Sequence, residues 1–194
     1  MDETLIVIAG DHGEELGEHG EYGHRFRFFD ECINVPMLFY NPAFEEQKIS
    51  GLTDLSDMAP TILDLVGLDI PRTYVGQSLN SIINEKLYIQ MEVFHRGSCL
   101  YKNKPVYMSV RTKEYKYIWK EWIDIEDESG EAEVLLFNLI KDKGELNNIA
   151  ESNQNVVIKM QDIIAQRLSG IDDYVKNRSK EDLVKTGVYK YLMN

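Results

Sequence analysis

Asp11-His12-Gly13-Glu14 sets a carboxylate, an imidazole, a glycine and a second carboxylate in four successive positions. Aspartate offers a hard oxygen and histidine a nitrogen, and the glycine lets the backbone turn away, so the pair can address one cation. The same residues also suit a turn in which Asp11 caps the backbone and His12 is hydrogen-bonded in the core. The pattern returns seven residues later as Glu18-His19-Gly20-Glu21, and His24 follows. Three of the four histidines thus fall within thirteen residues. His19, between Glu18 and Gly20, reads as a brace for the loop. His24 beside Arg25, at the rim of a carboxylate-lined loop, suits binding an anionic group or protonating a leaving oxygen. An exposed polar pair is the alternative reading.

The elements that must carry these residues follow from pattern. Thr4–Ala9 is continuous, β-branched and too short for a core helix, which predicts a strand buried on both faces. Glycines at 10, 13, 17, 20 and 23 then exclude a helix and make residues 10 to about 27 a long loop at a strand's C-terminal end, where open α/β sheets place ligands. Val35–Tyr40 predicts a second buried strand, with Pro36 near its start. Met58, Ile62, Leu65 and Val66 recur at helical spacing, with Pro60 in the first turn and Gly67 after the end.

From residue 87 the pattern turns to strands at 87–94, 106–111, 115–120 and 134–139, with Thr112-Lys113-Glu114 closing a hairpin of an antiparallel sheet. Residues 121–133, with seven acidic and no basic side chains, read as a solvated loop. Val157, Met160, Ile164 and Leu168 mark one face of a helix that should cover the sheet. The expected organisation is an α/β part over residues 1–85 that carries the glycine loop, an antiparallel sheet plus helix over 86–170, and a polar peripheral tail over 171–194.

The chain has 194 residues, 43% hydrophobic and 28% charged, which is the composition of a globular protein. Its longest uninterrupted apolar run, Leu5–Ala9, is far too short for a bilayer span, and no cationic segment of a signal peptide precedes it. A formal net charge of −12 argues against a nucleic-acid partner, which needs a basic footprint. Residues 1–97 hold 17 acidic and 6 basic side chains, against 16 and 15 in residues 98–194. Much of that imbalance lies between Asp11 and Glu31, on or beside the loop. Cys32 and Cys99 form no metal-type cluster.

Taken in order, Asp11-His-Gly-Glu-Glu-Leu-Gly-Glu-His-Gly20, Gly23-His24, Val35-Pro36, Asp57-Met-Ala-Pro-Thr-Ile-Leu-Asp-Leu-Val-Gly67, Pro71 and Gly76-Gln-Ser-Leu79 resemble the C-terminal half of the sulfatase family, within the alkaline-phosphatase-like superfamily. Val110-Arg111-Thr112, Tyr115-Lys-Tyr-Ile118, Leu136-Phe-Asn-Leu139 and Gly144-Glu-Leu-Asn-Asn-Ile-Ala150 resemble that family's C-terminal subdomain. The resemblance implies an α/β fold: part of a mixed sheet with helices, followed by a small antiparallel α+β subdomain. It implies that Asp11 and His12 ligate a divalent cation, calcium or else manganese. It implies that His24 contacts the sulfate and helps the leaving alcohol depart; Arg25 beside it is read from its position as a further substrate-binding residue. Glu14, Glu18 and His19 match positions of structural role, and Asp57 and the Arg111–Lys116 hairpin match architectural ones.

Sulfatases attack sulfur with a formylglycine made from a Cys/Ser-x-Pro/Ala-x-Arg motif, and no such motif stands in this sequence. Without that nucleophile the covalent route is closed, and two ligands are too few for a hard cation. The first strand would also show apolar faces if its parent-sheet neighbours were absent. The expected identity is therefore the C-terminal part of a sulfatase-like hydrolase of a sulfate ester, small molecule or glycan, inactive alone and either a fragment or a truncated frame. A phosphonate monoester hydrolase or phosphoglycerol transferase of the same superfamily, and a non-catalytic remnant or interaction subunit, are the alternatives. Compartment and oligomeric state stay open; a complete chain without a leader would be cytoplasmic.

Overall fold

The computed structural model describes residues 4–24, 28–46, 48, 51–80, 92–98, 104–123 and 132–176. Strand β1 (Ile6–Ala9) pairs antiparallel with β4 (Met37–Tyr40), from Ile6 opposite Tyr40 to Ala9 opposite Met37. Both elements stand where the apolar runs place them, but neither is buried on both faces. Ile8 is 61% exposed, and Ile6, Leu38 and Tyr40 also face outward. A continuous apolar run reports that both faces of a strand favour cover; a two-stranded ribbon covers only one.

Between these strands the glycine loop is folded rather than open. Strands β2 (Glu15–Leu16) and β3 (Tyr22–Gly23) form a short hairpin. Gly17, at φ +110°, supplies a backbone turn that a side chain would strain. Helix α1 (Asp30–Ile33) follows, with Cys32 buried. A 3₁₀ turn over Leu55–Asp57 leads into α2 (Met58–Leu65), where the apolar spacing predicts it. The start is capped by Asp54, whose carboxylate accepts the Ser56 N–H, and by Asp57, which accepts the Asp54 N–H at 3.1 Å. Asp57 also accepts the Gln77 N–H at 2.8 Å, so it ties the helix to the following segment.

The second half is an antiparallel meander, β5 (Glu92–Ser98), β6 (Lys104–Thr112), β7 (Tyr115–Ile123) and β8 (Ala132–Asn138), in that spatial order. The hairpin at Thr112–Glu114 stands as expected. Most of the acidic stretch and residues 87–91 lie outside the described residues. Helix α3 (Gln154–Lys176) continues beyond residue 170. Period-2 alternation gives the sheet two different faces. One carries Met108, Val110, Tyr117 and Leu136 onto Val157, Met160 and Ile164 of α3. The other carries Ile118, Phe137 and Leu139 onto Phe28 and Phe29, just before α1, and so docks the glycine loop's neighbour on the sheet.

A candidate cation and leaving-group site

Two backbone hydrogen bonds fasten the loop as it leaves β1: Gly10 N–H to Pro36 O at 3.1 Å and Gly13 N–H to Cys32 O at 2.8 Å. The second demands a glycine, since a Cβ at position 13 would lie 1.9 Å from the Glu31 carbonyl oxygen. The β2–β3 register, Glu15 opposite Gly23, continues outward to bring Glu14 beside His24. Glu14 Oε1 lies 2.7 Å from His24 Nδ1. The His24 ring stacks on His12, with centroids 3.9 Å apart and planes at 28°. Residues 12, 14 and 24 thus converge through a hairpin of only two residues per strand.

Hydrogen-bond chemistry sets the tautomers. His12 Nδ1 is 3.0 Å from the Gly13 carbonyl, which can only accept, so Nδ1 carries a hydrogen and, in the neutral ring, Nε2 carries the lone pair. Asp11 Oδ1 accepts the His12 N–H at 3.0 Å, and Asp11 Oδ2 stands 3.9 Å from His12 Nε2. The Asp11 side chain is 93% exposed, and backbone N–H donors hold its carboxyl below the usual range. A carboxylate oxygen and an imidazole nitrogen this far apart can share one divalent ion, so the pair fits the implied cation as a partial donor set. A hard cation takes six or more oxygens, and these two residues supply one carboxylate.

The placement of the sequence candidates is uneven. Asp11, His12 and His24 share the loop, and His12 touches His24, whereas Arg25 lies outside the described residues. Glu14, read from sequence as structural, is the hydrogen-bond partner of His24. Glu18 accepts the Leu16 N–H within the hairpin turn, and this and its own backbone hold its pKa down. His19 stacks on Phe29 at 3.7 Å, nearly parallel, and its Nε2 lies 3.3 Å from Glu31 Oε2.

Sequence reasoning missed a buried ionic cluster that holds α1 to the sheet. Lys116 and Glu145 have fully buried side chains, and Lys116 Nζ lies 2.8 Å from Glu145 Oε1 and donates to Oε2 at 3.1 Å. The same ammonium donates to Asp30 Oδ1 at 2.7 Å, Arg111 pairs with that carboxylate, and the Asp30 N–H donates to Glu145 Oε2 at 3.0 Å. Burial pushes the Asp30 carboxyl up, but Lys116 and Arg111 outweigh it and hold the group below its usual range. Glu145 goes the other way: burial above all, with the Asp30 charge, pushes it up to about 7 against Lys116. The one signal in sequence was parity, since Lys116 shares a strand face with Ile118.

A pH dependence follows. Folding raises the Glu145 pKa from 4.5 to about 7, so between those values the folded chain binds the extra proton and stability falls as pH rises. The unfolding midpoint should therefore drop between pH 4.5 and 7, and Glu145→Gln should flatten that slope. Equal slopes for both proteins in parallel thermal melts would contradict the assignment.

Comparison with known proteins decides the family. Residues 17–172, well over half of the chain, match the family model described as N-sulphoglucosamine sulphohydrolase, C-terminal. This chain belongs to the sulfatase family. Among sulfatases, it is 29% identical over 193 residues to the Delta 4,5-hexuronate-2-O-sulfatase of Bacteroides thetaiotaomicron, covering 92% of this chain and 36% of that one. Its fold matches a protein solved with its substrate D-glucosamine-2-N,6-O-disulfate, with TM-score 0.69, 22% identity, and 89% and 35% of the two chains covered. It also matches the phosphonate monoester hydrolase of Silicibacter pomeroyi, with TM-score 0.68, 21% identity, and 92% and 36% covered. The α/β architecture is thus that of the sulfatases. The chain spans about a third of the length of the curated relatives it matches.

Proposed function

We propose that this chain carries the leaving-group side and part of the cation site of a divalent-cation-dependent sulfuric ester hydrolase that acts on a sulfated small molecule or saccharide. The observation that carries the reading is the convergence of His24, Glu14 and His12 on the loop after β1, in a chain of this family. Asp11 Oδ2 and His12 Nε2 would hold the cation, calcium or manganese, which when bound polarises the sulfate oxygens. Glu14 accepts a hydrogen bond from His24 Nδ1–H and so fixes the ring, with Nε2 left to face the ester. In its protonated form His24 delivers the Nε2 proton to the alcohol oxygen as the S–O bond breaks. Arg25 would add charge to the sulfate subsite. In this reading residues 1–85 hold the chemistry and residues 86–170 back the loop through the Asp30–Lys116–Glu145 contacts.

The nucleophile is not among these residues, so the isolated chain should turn over little or no aryl sulfate. Calorimetry with calcium and manganese tests the partial site: with one carboxylate and one imidazole it should bind only weakly, at about millimolar or above, and Asp11→Asn should abolish what binding there is. Absence of binding would remove the cation role. Turnover by the purified chain that vanishes in His24→Ala would overturn the claim of inactivity. The family match is to a sulphohydrolase, which favours sulfate over phosphonate as the leaving group's partner.

A further inference from the structure

Among the described residues Glu145 is the only one other than glycine with a positive φ, +52°, a conformation that L side chains disfavour. Asp142 accepts the Leu146 and Asn147 N–H groups at 3.1 and 2.8 Å and so holds this turn with the Glu145 carboxylate inward. From there the carboxylate reaches the glycine loop by two routes. Its Oε2 accepts the first N–H of α1, at Asp30, and the Cys32 carbonyl of the same helix holds Gly13. One oxygen of Glu145, one of Glu31 and a nitrogen of His19 also lie within 4.8 Å of one another. His19 stands in the turn of the β2–β3 hairpin, which sets Glu14 beside His24.

The charged groups at this junction come from every element that meets there. Helix α1 brings Asp30 and Glu31, the sheet brings Arg111 from β6 and Lys116 from β7, and the hairpin turn brings His19. With His19 neutral, three carboxylates meet two cations. Glu145 and Lys116 are fully buried and the His19 side chain is 8% exposed, so water screens the imbalance poorly. One proton, on Glu145 or on His19, restores neutrality, and groups this close titrate as a set.

We propose that Glu145 is a positioning residue for the glycine loop, and that one proton shared with His19 governs the docking of α1 and the β2–β3 hairpin on the sheet. Without that proton Glu31 and Glu145 face each other as like charges, and the hairpin with Glu14 and His24 leaves its seat more often. Opening exposes Glu145 to water, where its pKa returns from about 7 towards 4.5. Docking is therefore strongest below 4.5, weakens as pH rises through that interval and is weakest above about 7. That the hairpin carries a leaving-group acid rests on the proposed function; the docking equilibrium does not.

Hydrogen exchange of the whole chain, read by NMR as protection factors at about pH 5 and about pH 7.5, tests this without cation or substrate. Gly13 and Ile33, whose N–H groups bond to Cys32 and Phe29, report the loop and α1, and Val110 and Tyr117 report the sheet. Gly13 and Ile33 should exchange faster than the sheet pair at both pH values, the mark of an opening that leaves the sheet folded. Their protection should fall at least about tenfold from the lower pH to the higher, and less than about threefold in Glu145→Gln. Glu31→Gln, at a partly exposed position, should lessen the fall too and serves if Glu145→Gln does not fold. Protection at Gly13 and Ile33 that ignores pH, or that equals the sheet's at both values, overturns the proposal. A fall that persists in full in the folded variants does the same. The His19 ring signals should follow pH differently in Glu145→Gln and in the parent; identical curves overturn the sharing of the proton.

Discussion

Lys116→Ala should lower the folding stability of the chain by about 3–5 kcal/mol, the cost of stranding buried charges whose partner has gone. The ammonium is the only group that contacts both Asp30 and Glu145 among the hydrogen bonds of this cluster. Its loss leaves the buried Glu145 carboxylate and the partly buried Asp30 carboxylate without their shared cation, with Arg111 on Asp30 alone. Lys120 on the same strand is the control: it pairs with Glu133 at the surface, at 3.1 Å, and Lys120→Ala should cost less than about 1 kcal/mol. Urea unfolding of both variants measures the difference. Equal losses would mean that the buried cluster contributes no more than a surface pair. Lys116→Met, which keeps much of the stem's packing, should recover part of the loss if packing shares the work.

Gly13→Ala is expected to remove divalent-ion binding by the loop, at least about tenfold in affinity, at a stability cost of about 1–3 kcal/mol. The added Cβ would fall 1.9 Å from the Glu31 carbonyl oxygen, which is backbone and cannot rotate away. Either α1 or the loop must move, and the 2.8 Å bond from Gly13 to Cys32 breaks. The His12 Nδ1 partner, the Gly13 carbonyl, moves with it. Comparing calcium titrations with the unfolding midpoint separates the local effect from the global one. Binding within twofold of the parent would show that the loop reaches its geometry without this contact.

Where sequence was informative, local physics was enough. Met58, Ile62 and Leu65 at helical spacing, Pro60 at the start and Gly67 after the end define α2 without any tertiary contact. The same holds for the Thr112–Glu114 hairpin, whose flanking strands alternate. The β2–β3 hairpin was hidden because two residues per strand carry no period. With it was hidden the role of Glu14, which the register sets opposite His24 ten positions away. The Lys116–Glu145 cluster was hidden for a different reason: its members are separated by as many as 115 positions, and only the fold makes them neighbours. Asp11, His12 and His24 were legible as candidates because their types and spacing are rare. Which of them converge was not, because that depends on backbone turns at glycines.

The ribbon of β1 and β4 has one more consequence, for solution behaviour. It turns Ile6, Ile8, Leu38 and Tyr40 outward, and among the described residues each of its strands has one edge without a strand neighbour. Such a ribbon can template further strands, so equilibria of this chain should be measured at more than one protein concentration. Ion affinities and melting midpoints are comparable only at matched dilution, where the population of free monomer is the same.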